Sequence, residues 1–180
     1  MKALLYLVSV LLVVTAIRCK PSSGVTVADP IHKDSVLVNK YSTLLNVSRQ
    51  EILKSFTLYR FIDRWESSAN IKELSEQSFS NFTFAKKLFN EVYGRVLSAN
   101  YDELRMSERV SKFTDRKYLK EGDILFFEEI KDDEALLTHV GVYLHNTKFV
   151  TWSERENKAA IRDLNASYWN QNYKFAGRLK

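Results

Sequence analysis

The chain carries a single cysteine, and it stands at position 19, just behind an apolar leader. With one thiol there is no intrachain disulfide, and no cysteine-rich zinc site can be assembled. The fold must therefore rest on buried apolar side chains. At 180 residues the chain suffices for one domain with a proper core; 45% of it is apolar, 27% charged, with only 5 Gly and 2 Pro. Those proportions exclude collagen-like, low-complexity and disordered chains.

Lys2 supplies a positive start, and Ala3 to Ile17 is an uncharged, almost wholly apolar run. Fifteen residues match the core of a signal peptide, whereas a membrane-spanning helix needs about 20. Arg18, Cys19 and the flexible stretch Lys20-Pro21-Ser22-Ser23-Gly24 follow. This arrangement is similar to a bacterial lipoprotein signal, in which Cys19 becomes the lipidated first residue. Arg18 departs from the small residue usual before such a Cys, and an ordinary secretory signal cleaved nearby is the alternative. Residues 1–18 thus read as a signal peptide, 19–35 as a linker or tether, and 36–180 as the folded domain. The expected location is the cell envelope, lipid-anchored or periplasmic, or outside the cell. Without Lys2 and Arg18 the 27 basic residues fall to 25 against 22 acidic, about +3. A charge so small, interleaved in sign, implies no nucleic-acid partner. A membrane is expected only through a lipid on Cys19.

No internal repeat is visible. Ser48-Arg49-Gln50-Glu51 reads as a capping box, and Ile52, Phe56, Tyr59, Ile62 and Trp65 recur at helical spacing, which predicts a helix over 49–65. A second helix is predicted from Asn81, as N-cap, to Gly94, with Phe84, Ala85, Leu88, Phe89 and Val92 on its apolar face. Tyr101 to Val110 is weakly helical. From Gly122 the pattern becomes strand-like: Asp123 to Phe127, Thr138 to Leu144, Lys148 to Trp152, and Tyr173 to Leu179. Helices first and antiparallel strands after give an α+β domain, N-terminal helices packed on an antiparallel sheet.

Several blocks, in order, resemble the NlpC-type cell-wall peptidases, papain-like cysteine hydrolases (γ-D-glutamyl-diaminopimelate endopeptidases) that cut peptidoglycan stem peptides. Glu121-Gly122-Asp123-Ile124-Leu125-Phe126-Phe127 is similar to the family's Pro-Gly-Asp-Leu-Val-Phe-Phe strand. His139-Val140-Gly141-Val142-Tyr143-Leu144 resembles its His-Val-Gly-Ile-Tyr-Leu strand, which carries the general base. Lys148-Phe149-Val150, the closing segment from Leu164 to Leu179, the stretch Tyr101 to Lys120 and the helix Leu58 to Trp65 complete the likeness, over about residues 36–180.

The resemblance implies a cysteine thiolate at a helix N-terminus, a histidine facing it, and a third polar residue orienting that histidine. Aligning the family's Asp-Cys-Ser-Gly-Phe on Ser80-Asn81-Phe82-Thr83-Phe84 puts Asn81 at the nucleophile position, His139 as the remnant base and Thr151 as the orienter. Trp65, sixteen residues before Asn81, agrees with that alignment. An amide cannot form an acyl-enzyme. The family's Gly-Thr-Pro-Tyr and Tyr-Gly-Gly groove elements are missing as well. The expectation is a pseudoenzyme whose groove, with Trp65, Trp152, Tyr168 and Trp169 as binding residues, takes a peptidoglycan stem peptide or a cell-envelope protein. Two alternatives stand beside it: a residual hydrolase using Ser80, Thr83 or a bound water with His139, and a non-catalytic regulator of an active wall hydrolase. A plainer reading makes His139 a buried strand histidine and the aromatics core. No cofactor is expected, and no metal, because His32, His139 and His145 are dispersed.

Overall fold

The computed structural model describes residues 30–67, 79–131 and 135–180. The leader and Cys19 lie outside these residues. The first helix, α1 (Pro30–Leu45), includes residues 30–35, which the sequence reading assigned to the tether. Proline is compatible with a first helical turn. Val38, Tyr41 and Leu45, three and four apart, give the helix a buried stripe.

The helix expected over 49–65 is two helices, α2 (Arg49–Lys54) and α3 (Phe56–Glu66). The capping box forms as read: the Ser48 hydroxyl accepts from the Glu51 N–H at 3.3 Å, and the Glu51 carboxylate accepts from the Ser48 N–H at 2.9 Å. Ser55 breaks the helix at φ −112°, and its hydroxyl donates to the distant Glu121 carboxylate. In α4 (Asn81–Tyr93) the N-cap is Ser80, not Asn81: the Ser80 hydroxyl accepts from the Thr83 N–H at 3.1 Å. That leaves the Asn81 side chain free for a tertiary contact. Gly94, at φ +61°, closes the helix, with the Arg95 N–H donating back to the Phe89 carbonyl at 3.0 Å. Helix α5 (Tyr101–Met106) is shorter than the stretch read as helical, whose last residue, Val110, opens a strand.

Six strands form one antiparallel sheet: β1 (Val110–Phe113), β2 (Ile124–Lys131), β3 (Ala135–Tyr143), β4 (Lys148–Ser153), β5 (Lys158–Asp163) and β6 (Tyr173–Leu179), in the order β1-β6-β2-β3-β4-β5. A short helix, α6 (Ser167–Asn172), links β5 to β6. The sheet is buried on both faces. Ile124 and Phe126 join Ile52, Ile62, Trp65, Phe84 and Leu88 in the main core under the helices. Leu125 and Phe127, alternating with them, pack with Phe149, Leu164 and Ala176 on the other face. Each such large side chain contributes about 2 kcal/mol through burial. This double burial is why the run from Ile124 to Phe127 is continuously apolar. Asp123, 1% exposed, accepts two bonds from the Arg178 guanidinium, both 2.7 Å, which pins β6 to the start of β2.

Candidate functional site

Strands β3 and β4 pair through Val142 with Val150 and Tyr143 with Phe149. Toward His139 and Thr151 side chains bridge them instead. The Thr151 hydroxyl lies 2.8 Å from the Val140 carbonyl and 2.6 Å from His139 Nε2. A hydroxyl has one proton, and a carbonyl can only accept. Thr151 therefore donates to Val140 and accepts from His139, so Nε2 carries the imidazole proton and Nδ1 is the free lone pair. The N-terminus of α4 docks on the same place: Asn81 Oδ1 accepts from the Val140 N–H at 3.1 Å. One residue of β3, Val140, thus ties Asn81 and Thr151 together through its two backbone groups.

A cavity of about 220 Å³ opens over this group, lined by Asn81, His139, Thr151, Trp152, Tyr168 and Trp169 among others. The Trp169 ring stands 5.0 Å from the imidazole, centre to centre, and is itself held by Phe127 and Phe149. Tyr168 is 44% exposed at the rim, where its hydroxyl donates to Glu129 at 2.8 Å. Trp152 is 2% exposed and forms the floor. Trp65 lies behind that floor rather than in the lining, equally buried and edge-on to Trp152 at 5.9 Å. Its place is in the core.

Burial, with a smaller push from the Arg162 guanidinium, lowers the His139 pKa from 6.5 to about 4. At neutral pH the imidazole is uncharged, with a lone pair on Nδ1 and a carboxamide as its neighbour. Such a pair can exchange hydrogen bonds with a ligand, but Asn81 offers no acidic proton to remove. The Ser80 and Thr83 hydroxyls are 3.1 Å apart, the Ser80 hydroxyl caps α4, and Thr83 lines a different depression with Lys86 and Asn90. Among the described residues no cluster of three His, Cys, Asp or Glu is placed to hold a metal ion.

The charged part of the lining was not foreseen. Glu154 and Arg155, from the turn after β4, and Arg162, on β5, face the cavity, with Arg162 paired to Glu156. The signal for it was the polar run Ser153 to Lys158 directly after the third expected strand.

Helices on one face of an antiparallel sheet, with a helix N-terminus, a strand imidazole and a hydroxyl from the next strand meeting at one cavity, make this a papain-like, hydrolase-type domain. Residues 71–178 match the NlpC/P60 family, and the chain belongs to it. Among curated proteins the chain is similar to murein DD-endopeptidase MepH of Escherichia coli (strain K12), 34% identical over 65 residues. That match covers 36% of this chain and 23% of the relative. Among solved structures it is similar to a lipoprotein-like NLP/P60-family protein of Staphylococcus aureus subsp. aureus Mu50, with a TM-score of 0.52 at 16% identity. The superposition covers 68% of this chain and 40% of the other. At that identity the likeness is one of fold.

Proposed function

We propose that this chain is an exported cell-envelope protein that keeps the cell-wall-peptidase fold but has lost the chemistry, and that its cavity binds a peptidoglycan stem peptide. The observation that carries the reading is Asn81: at the start of α4, where the family's cysteine belongs, a carboxamide is bonded to Val140 beside a neutral imidazole. The chain's single thiol is at position 19, in the lipoprotein-like leader. The cavity's chemistry suits such a ligand. Trp169, Trp152 and Tyr168 offer flat apolar walls for a peptide, and Arg155 and Arg162 offer guanidinium groups for a carboxylate.

Co-sedimentation of the exported protein with purified sacculi tests this. Binding is expected without release of soluble peptide, and Trp169→Ala or Arg162→Ala should weaken it about tenfold or more. Undiminished binding in both variants would contradict the assignment of this cavity. Capture of an active wall hydrolase, unaffected by substitutions around Asn81, would instead favour the regulator reading.

A further inference from the structure

On the side of the hairpin away from the cavity, the turn joining β3 to β4 is conformationally costly. Asn146 and Thr147 both have positive φ, 48° and 68°, and the Lys148 N–H donates to the His145 carbonyl at 2.8 Å. The left-handed region is rarely adopted by a β-branched residue such as Thr147, and it persists only where surrounding contacts fix it.

Three sets of contacts do so. The Asn146 side-chain amide donates to the Leu45 and Asn46 carbonyls at 2.8 and 3.0 Å. The Thr147 hydroxyl donates to Asp163 at 2.8 Å, beside the Lys148–Asp163 ion pair. His145 Nε2 lies 3.0 Å from a Glu121 carboxylate oxygen, and that carboxylate also accepts from Tyr59, at 2.5 Å, and from Ser55. Glu121 therefore gathers the α2–α3 junction, α3 and the hairpin turn onto one group.

These contacts respond differently to pH. The amide contacts do not titrate. The Lys148 and Thr147 bonds, with the Asn165 N–H, hold Asp163 down at about 2, so it stays charged. Burial alone would push the Glu121 carboxyl up, but the bonds from His145, Ser55 and Tyr59 outweigh it and keep it below the usual range. The titratable groups facing the pair from the packed elements are Glu51 of α2, which favours a charged His145, and Tyr59 of α3 and Tyr93 of α4, which burial keeps protonated. His145 is the member that changes charge near neutrality.

The ladder between β3 and β4 is confined to Val142–Val150 and Tyr143–Phe149, next to the turn, whereas β2 holds His139 and β5 holds Thr151, so the turn contacts bear on the closed end of the hairpin. We propose that the Glu121–His145 ion pair is a protonation-operated strap: it holds the hairpin turn against the helices and so sets the order of the closed end of β3 and β4. The hydrogen bond to Glu121 raises the His145 pKa above 6.5, with burial opposing. The strap is thus complete below about pH 6.5 and weakens to a neutral hydrogen bond as pH rises through the folded-state pKa. This device does not depend on what the cavity binds.

Amide hydrogen exchange on the intact chain, expressed as protection factors, tests it. Between pH 6 and pH 8.5 the protection of residues 143–149 should fall about tenfold, the size expected when a charge-assisted bond becomes a neutral one. His145→Gln and Glu121→Gln should be low and flat across the same range, and β1 and β6 should be flat throughout. A flat wild-type hairpin, or an unchanged fall in His145→Gln, would overturn the proposal. If both variants fail to fold, the wild type decides: the protection midpoint must coincide with the His145 titration seen by NMR, and a midpoint elsewhere overturns it.

Discussion

A single threonine proton determines which nitrogen of His139 is available. Because Thr151 donates to the Val140 carbonyl, it can only accept from the imidazole, and Nδ1 is left as the lone pair. Thr151→Val would strand both a buried carbonyl and the imidazole N–H. We expect a loss of about 1–3 kcal/mol by denaturant unfolding, largely restored in Thr151→Ser. An equal loss in both variants would show that the methyl group matters and the hydroxyl does not. The imidazole itself is kept neutral by burial, and its pKa near 4 has a defined sign for stability. The unfolded chain takes up a proton near pH 6.5 and the folded chain only near 4, so this residue's contribution is complete above 6.5 and is lost as pH falls to about 4. The full change is on the order of 3 kcal/mol. In His139→Gln the decline of stability over that interval should shrink, and an unaltered decline would place its source elsewhere.

The elements that sequence made legible are those with one dominant physical signal. The Ser48 capping box, the αL glycine at Gly94 and the doubly buried run from Ile124 to Phe127 each read directly. Four further elements were hidden. Helix α1 begins at a proline that continues the tether's pattern, β1 is 4 residues long and follows directly on a helical stretch, β5 mixes Ala159 and Ala160 with charged Lys158, Arg162 and Asp163, and α6 spans only 6 residues. The break at Ser55 was illegible because its cause, Glu121, is distant in sequence. Likewise Asn81, His139 and Thr151 could be aligned to a motif, while Arg155 and Arg162 come from a turn and an edge strand without periodicity. Close approach also matters at this scale. A Cβ at Gly141 would overlap the Phe149 ring across the β3–β4 pair. Gly141→Ala should cost about 1–3 kcal/mol and loosen the hairpin that carries the site. A thermal melt matching wild type would show that Phe149 yields without cost.

Across the whole molecule the strand histidine His139 and the turn histidine His145 act in opposite senses. His139 favours the folded state as pH rises to 6.5, and His145 favours it as pH falls to the same region, so both contributions meet near neutrality. The fold that positions them is that of the NlpC/P60 family, and the proposed loss of function centres on the start of one helix. Returning a thiol to that place examines the account at its centre. In a Cys19→Ser background, Asn81→Cys introduces one sulfur at the N-terminus of α4, within the cavity shared with His139. Helix dipole and imidazole should lower its pKa. We expect alkylation by iodoacetamide at pH 6 to run at least about tenfold faster than for an unperturbed thiol, and to slow to near that reference when His139→Ala is added. A thiol that reacts at the unperturbed rate, or whose rate ignores His139, would mean that position 81 is not where the nucleophile belongs.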